Sequence, residues 1–362
     1  MRLPELYEKM LFLHAIVPYK IANGKALPPV RVQIEVTGRC NLKCSFCYQG
    51  ALYKNAKDEL AFDQIVKLID QVGRFSLLTF SGGEPLMRKD IFDIVSYALN
   101  KKRLCNMITN GVLLDERILK LMVDKKFFLL NVSIDGLGQV HDEIRGVPGT
   151  FRKVIDNLKF LREYKEKRKS RLPLVDVKLV LNNKNLTQLV DLYSLCEDMG
   201  VSFLTVSLQK EADIQFNGSF LYQDLNNECF YKRYPPKDEI VDKALLISSL
   251  KEIEDKNGKV HLRFYPRFRS SKEIELYLNS RERAAEFASS CLEPWSGLQI
   301  NAFGDVYPCL SLKVGNIKEN TISQIWNSGP YVEFRKKLKK LSLFPACSGC
   351  CYLKIRRLKW KA

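Results

Sequence analysis

The 362-residue sequence predicts an α/β protein in two parts, a parallel sheet with helices outside it and then a small cysteine-rich α+β region. Three observations lead there. Short β-prone runs alternate with amphipathic helical patterns from residue 31 to residue 208. The first four runs each end in a motif of Cys, Gly, Asn or Asp, residue types that serve turns and ligands rather than strands. And of eleven cysteines, three sit in one early loop and five lie after residue 290.

Residues 1–30 read as an N-terminal helix. Met10 to Ile21 is apolar but too short to span a bilayer, is interrupted by His14 and Pro18, and lacks a small-residue cleavage site. No run of about 18 apolar residues occurs elsewhere, which points to the cytoplasm. The first strand is Arg31 to Val36, with Val32, Ile34 and Val36 in alternation. Further runs follow at Leu77–Phe80, Asn106–Thr109, Leu130–Ile134, Val175–Leu181 and Phe203–Leu208. Between them lie helical repeats such as Phe62-Ile65-Val66-Ile69 and Ile118-Leu119-Met122. Strands that alternate with helices pair in parallel under an outer helical layer, as an open sheet or a partial barrel. Ligands in such folds bind at the carboxyl ends of the strands, which is where the special motifs fall.

Strand one runs into Cys40-Asn41-Leu42-Lys43-Cys44-Ser45-Phe46-Cys47. Three cysteines this close are no disulfide framework; their thiolates suit an iron–sulfur cluster with one iron left open. Zinc is the rival, but a structural zinc site wants four ligands, and His14, His141 and His261 all lie far from this loop in sequence. Strand two ends in Ser81-Gly82-Gly83-Glu84-Pro85, strand three in Thr109-Asn110-Gly111, strand four in Ser133-Ile134-Asp135-Gly136.

The CxxxCxxC loop, GGEP, TNG and SIDG in this order resemble the radical S-adenosylmethionine (SAM) superfamily over residues 30 to 210. The resemblance implies a partial (β/α)6 barrel. It implies that Cys40, Cys44 and Cys47 bind a [4Fe–4S] cluster and that Phe46 lies near the adenine of SAM. Gly82, Gly83 and Glu84 would meet the SAM amino group, and Ser133 and Asp135 its ribose or carboxylate. Arg145 would pair with the carboxylate, a job for a bidentate cation; Asn182 or Asn183 is a weaker candidate.

Residues 211–290 read as a connecting region with turns, one helix (Ile240 to Ile253) and one β-prone run (Val260 to Tyr265), able to form part of a substrate pocket. Residues 291–362 form the cysteine-rich part. Four thiolates can be gathered there, Cys291, Cys309, Cys347 and Cys350, with Cys351 as a substitute for Cys350. Spacing alone leaves zinc and an iron–sulfur cluster equally open. The order Gly304 to Cys309, Val314-Gly315-Asn316-Ile317 and then Cys347 to Cys350 resembles the SPASM or twitch extension of radical SAM enzymes. No cysteine follows Cys351, so a single auxiliary [4Fe–4S] cluster, the twitch form, is the expectation. Cys105, Cys196 and Cys229 stand alone and read as buried small hydrophobes.

By resemblance, a low-potential donor such as flavodoxin or ferredoxin reduces the first cluster, and SAM cleaves to a 5′-deoxyadenosyl radical that abstracts a substrate hydrogen. The auxiliary cluster then accepts an electron or only holds its domain together. Two substrate classes stand level: a peptide or protein, although fewer than 35 residues precede the first strand and leave no room there for a leader-binding domain; and a small polar or phosphorylated metabolite, such as an aminosugar, alcohol, nucleotide-linked group or lipid headgroup. The net charge of +17 fits an anionic substrate or a set of solvated helix faces. A non-catalytic iron–sulfur or zinc protein that binds nucleic acid or senses redox state is the third reading; no nucleic-acid-binding motif supports it. No catalytic acid or base stands out, and Lys178, Gln209 and Glu211 look like ordinary polar residues at later strands.

Overall fold

The computed structural model describes residues 3–47, 58–209, 241–268, 270–280, 284–309, 312–344, 347 and 350–356. Cys229 and Glu211 lie outside them. After helix α1 (Leu3–Ile21), the six expected strands appear as β1 (Arg31–Thr37), β2 (Leu77–Gly82), β3 (Leu104–Thr109), β4 (Leu129–Ser133), β5 (Leu174–Leu181) and β6 (Phe203–Leu208). They pair in parallel in sequential order. The connecting helices are α2 (Phe62–Gln71), α3 (Ile91–Asn100), α4 (Glu116–Asp124), α5 (Gly138–Arg145), α6 (Thr150–Lys167) and α7 (Leu189–Asp198).

The pleat explains the strand sequences. In β1, Val32, Ile34 and Val36 are fully buried on the face that meets the helices, while Arg31 and Gln33 face a central cavity. The helices supply the other half of that layer through Ile65, Leu68 and Ile69 of α2, Ile94, Val95 and Ala98 of α3, and Ile118, Leu119 and Met122 of α4. Asp115 caps α4 through its carboxylate on the Ile118 N–H at 2.9 Å. Such a cap is worth about 1 kcal/mol.

The sheet runs past both boundaries expected from the sequence. Strand β7 (His261–Tyr265), within the connecting region, adds in parallel to β6 as a seventh barrel strand. It is preceded by α8 (Lys243–Asp255) and followed by α9 (Ser271–Asn279) and the short α10 (Ala284–Phe287). Strand β8 (Gly297–Ile300) then pairs in parallel with β1, and β9 (Asp305–Tyr307) and β10 (Gly315–Asn316) extend that edge antiparallel. Among the described residues the cysteine-rich part has no separate sheet; its hairpin continues the ten-stranded barrel sheet. The chain goes on through α11 (Ile322–Trp326) and α12 (Gly329–Leu341). Residues of β1 to β8 all line one cavity, so the sheet is curled into a partial barrel.

Candidate active site

At the carboxyl ends of the strands, the cysteine loop is held by backbone contacts that tolerate no side chain. Gly82 has φ of 134°, and a Cβ there would stand 2.2 Å from the Thr37 carbonyl oxygen. A Cβ on Gly83 would stand 2.3 Å from that of Arg39. The Gly83 and Glu84 N–H groups donate to those same two carbonyls, at 2.9 and 2.8 Å. The two glycines thus exist so that strand two can lie against the loop that leaves strand one. Glu59 fixes the start of the loop by accepting from the Thr37 hydroxyl and the Gly38 N–H, both at 2.8 Å.

Glu84 is fully buried, and its carboxylate accepts from Thr109 Oγ1 and the Asn110 N–H at 2.7 Å and the Leu86 N–H at 3.1 Å. Burial pushes its carboxyl above the ordinary value while those three donors oppose the shift. Its side chain braces the third strand's loop and leaves only backbone for a ligand. Asn110, so placed, donates to Asn41 at 2.8 Å and stands 4.0 Å from Cys40 Sγ.

Arg145 joins the remaining parts. Its guanidinium forms an ion pair with Asp135, donates to Cys44 Sγ at 3.5 Å, and lies 5.7 Å over the Phe46 ring. Asp135 also accepts from the Val180 N–H at 2.7 Å. Burial works against both charges, and their mutual attraction holds the Arg145 guanidinium protonated above its usual range. His141 supports the pair: its Nδ1 accepts from the Asp135 N–H at 3.1 Å, and burial, then the nearby Arg145, lowers its pKa to about 4. Ser133 closes β4, where its backbone pairs with Lys178 of β5. Asn182 turns to Gln209 at 3.0 Å, and Asn183 accepts from the Asp242 N–H at 2.9 Å.

These residues suit an anionic cluster and an anionic ligand. Three thiols come from one loop, N–H donors reach two of their sulfurs, and Arg145 Nε is buried with no hydrogen-bond partner, a spare cationic donor beside Cys44.

At the other end of the lumen, Cys291, Cys309, Cys347, Cys350 and Cys351 all line one cavity of about 380 Å³. Cys291, Cys309 and Cys347 pack on Trp295, Phe334, Leu338 and Phe344. Burial raises the Cys347 thiol, and the thiols of Cys309 and Cys291 raise it further. Burial likewise lifts Cys291 to about 11 against the pull of Lys354 and Arg31. Thiols this reluctant to ionise alone keep their protons until a metal displaces them. Among the described residues no three His, Cys, Asp or Glu side chains stand close enough to share a single ion.

Between the two ends the lumen is polar. Asn131 donates to Asn106, which donates to Thr79 at 3.2 Å. Asp176 accepts from Thr205 Oγ1 at 2.7 Å and pairs with Arg263 at 2.6 Å and Lys178 at 2.8 Å. Arg31, bound to Glu293, and Arg267 complete the charged lining. Among the described residues of this lining, two cations, Lys178 and Arg263, share the single carboxylate of Asp176.

Residues 34–196 match the radical SAM superfamily, and residues 291–351 match the iron–sulfur cluster-binding domain known as SPASM. The chain thus carries a radical SAM domain joined to a SPASM domain. Its relatives with established functions include a pre-heme d1 synthase of Dinoroseobacter shibae, 26% identical over 94% of this chain and 83% of the relative. An AdoMet-dependent heme synthase of Methanosarcina barkeri is 26% identical over 90% of both chains. A PqqA peptide cyclase of Rhodopseudomonas palustris is 25% identical over 90% of this chain and 80% of its own. Among solved structures, Streptococcus suis SuiB bound to S-adenosylmethionine superposes with a TM-score of 0.62 at 16% identity, over 88% of this chain and 68% of SuiB, a likeness of fold.

This radical SAM enzyme accordingly uses SAM, a [4Fe–4S] cluster and an auxiliary iron–sulfur cluster. Cys40, Cys44, Phe46, Gly82, Gly83, Glu84, Asp135 and Arg145 fall together at one end of the barrel. Cys291, Cys309, Cys347 and Cys350 line the cavity that reaches the other. Sequence reasoning missed His141, whose only signal was a histidine four residues before Arg145, and the Asp176–Arg263 pair, whose partners are separated by 87 residues.

Proposed function

We propose that this enzyme oxidises a small, multiply carboxylated substrate, a tetrapyrrole being the class its heme synthase relatives suggest, held in the barrel lumen between two clusters. The observation that carries the reading is the basic lining of that lumen among the described residues, where Lys178 and Arg263 share Asp176 and Arg31 stands on Glu293. A substrate carboxylate therefore meets preorganised donors with no ordering left to do. The heme synthase of Methanosarcina barkeri also matches nearly end to end.

In this reading Cys40, Cys44 and Cys47 hold the first cluster, and Cys291, Cys309, Cys347 and either Cys350 or Cys351 the second. When bound, SAM and the first cluster supply a 5′-deoxyadenosyl radical, with an electron from a ferredoxin- or flavodoxin-type donor. The chain's own residues do the rest. Gly82 and Gly83 bring bare backbone to the SAM amino group. Arg145 offers Nε to its carboxylate while Asp135 holds the guanidinium in place, and Phe46 borders the adenine. The apolar strand and helix layer excludes water from the lumen, which protects a reactive intermediate.

A peptide substrate is the second reading, favoured by the match to a PqqA peptide cyclase over most of both chains. The test is anaerobic reconstitution followed by 5′-deoxyadenosine formation under dithionite, with an iron porphyrin bearing carboxylates or with an acidic peptide. Stimulation and a new product with the porphyrin alone support the first reading, and with the peptide alone the second. Arg263→Gln should then raise KM for the porphyrin about tenfold, as loss of a charged hydrogen bond does, while uncoupled SAM cleavage stays within about twofold. Absence of cleavage with both clusters loaded would overturn the assignment.

A further inference from the structure

We propose that α1, together with the lysines of α12 beside it, docks this enzyme on an anionic lipid surface. Met10, Leu13, Val17 and Ile21 are all exposed. Their spacing of three, four and four residues places them within one turn-to-turn stripe of the helix. The opposite face of α1 is the packed one: Ala15 joins Trp295, Phe334, Leu338 and Phe344, and Tyr19 meets Trp295 edge-on. The helix is therefore seated in the fold by one side and presents a second apolar side outward, beyond the scattered exposed leucines of an ordinary surface.

The border of that stripe is predominantly basic, although Glu333 is exposed one turn before Lys336. Lys339 of α12 donates to the Lys20 carbonyl at 3.1 Å and lies 5.3 Å over the Tyr19 ring, which sets α12 alongside the C-terminal half of α1. Lys20, Lys25, Lys336 and Lys340 are exposed around it, and Leu341 is exposed at the end of α12. Residues 9–21 contain no Asp or Glu, and neither do residues 334–341. A stripe of apolar side chains with a rim of lysines is the arrangement that lies in the plane of a membrane interface, apolar atoms among the acyl chains and ammonium groups on anionic headgroups. A second copy of this chain fits poorly, because two-fold pairing of the stripe would bring lysine rim against lysine rim in a molecule whose net charge is already +17. No helix among the described residues crosses a bilayer, so the contact is made from one side.

The experiment is co-sedimentation of the reconstituted full-length enzyme with phosphatidylcholine vesicles, with and without about 30% phosphatidylglycerol, at low and high salt. Binding to the anionic vesicles at least about tenfold above the neutral ones, and lost at high salt, is expected. Leu13→Asp with Val17→Asp, and separately Lys336→Glu with Lys340→Glu, should each lower it by about tenfold or more, with 5′-deoxyadenosine formation retained as proof of folding. No binding, or equal binding to neutral vesicles, would overturn the proposal. So would a dimer in sedimentation velocity that Leu13→Asp dissolves, or an acidic protein that competes for the stripe while vesicles do not.

Discussion

His141 is a buried imidazole whose one ring nitrogen accepts from the Asp135 backbone, and this makes it a neutral group at physiological pH. A histidine with a folded pKa of about 4 and an unfolded value of 6.5 binds fewer protons folded than unfolded between those limits. Stability therefore rises with pH across that window and is lost as pH falls through it, by up to about 3 kcal/mol for this one group. His141→Gln should flatten that part of the curve. Urea unfolding of the apoprotein at about pH 7, 6 and 5 measures it, and a wild-type slope unchanged in the variant would sink the assignment. The histidine also shows where sequence stops being informative. Cys40, Gly82, Glu84 and Asp135 announce themselves by motif, whereas His141 matters because a turn of α5 brings its ring to Asp135, and no pattern in the chain records that. Glu84 is a subtler case. Its position was legible, but its carboxylate has been spent on Thr109, Asn110 and Leu86.

At the scale of elements, α12 depends on one side chain. Arg335 is fully buried, with its guanidinium donating to the Pro294 carbonyl at 2.8 Å, Trp326 at 2.9 Å, Gly24 at 3.3 Å and Asn327 Oδ1 at 3.0 Å. It lies 4.0 Å over Tyr331 and 4.2 Å over Trp326. Burial lowers its pKa to about 10, which still leaves it charged. A single cation thus joins the chain after α1, the residues before β8, and α11. Arg335→Met should cost about 2–4 kcal/mol, because several buried carbonyls lose their donor together; the urea midpoint of the holoenzyme reads it, and a loss below about 1 kcal/mol would contradict this account. The strands and helices of residues 31–208 were legible because each is a short periodic segment. The membership of β7 and β8 in the same sheet was not, since it depends on pairing between residues far apart, Arg31 with Gly297 and Phe203 with His261.

For the whole molecule, two cysteine sets occupy opposite ends of one lumen, which separates their chemistry. Cys309→Ala is expected to remove the auxiliary cluster, halving iron and sulfide content, while leaving uncoupled SAM cleavage within about threefold of the wild type, because effects at well-separated sites add independently. Loss of both clusters in that variant would show that the ends are not independent. The two cysteine groups were legible as groups in the sequence, but their placement at opposite ends of one lumen was not. Neither was the charged belt between them, because Asp176, Lys178 and Arg263 are unremarkable letters until the sheet curls.

The pairing of β1 with β8 also governs the order of events during synthesis. Strand β1 leaves the ribosome early, yet its second neighbour is 266 residues behind at the Arg31–Gly297 register, and the cation that clamps α1's exit is Arg335. Until then β1 carries an open edge, with Val32, Ile34 and Val36 covered only by the helices already made. Unpaired edges of that kind recruit other chains. A nascent molecule released before β8 emerges is therefore a candidate for aggregation, and the closing strand acts as a check that chains stopping short of it do not pass.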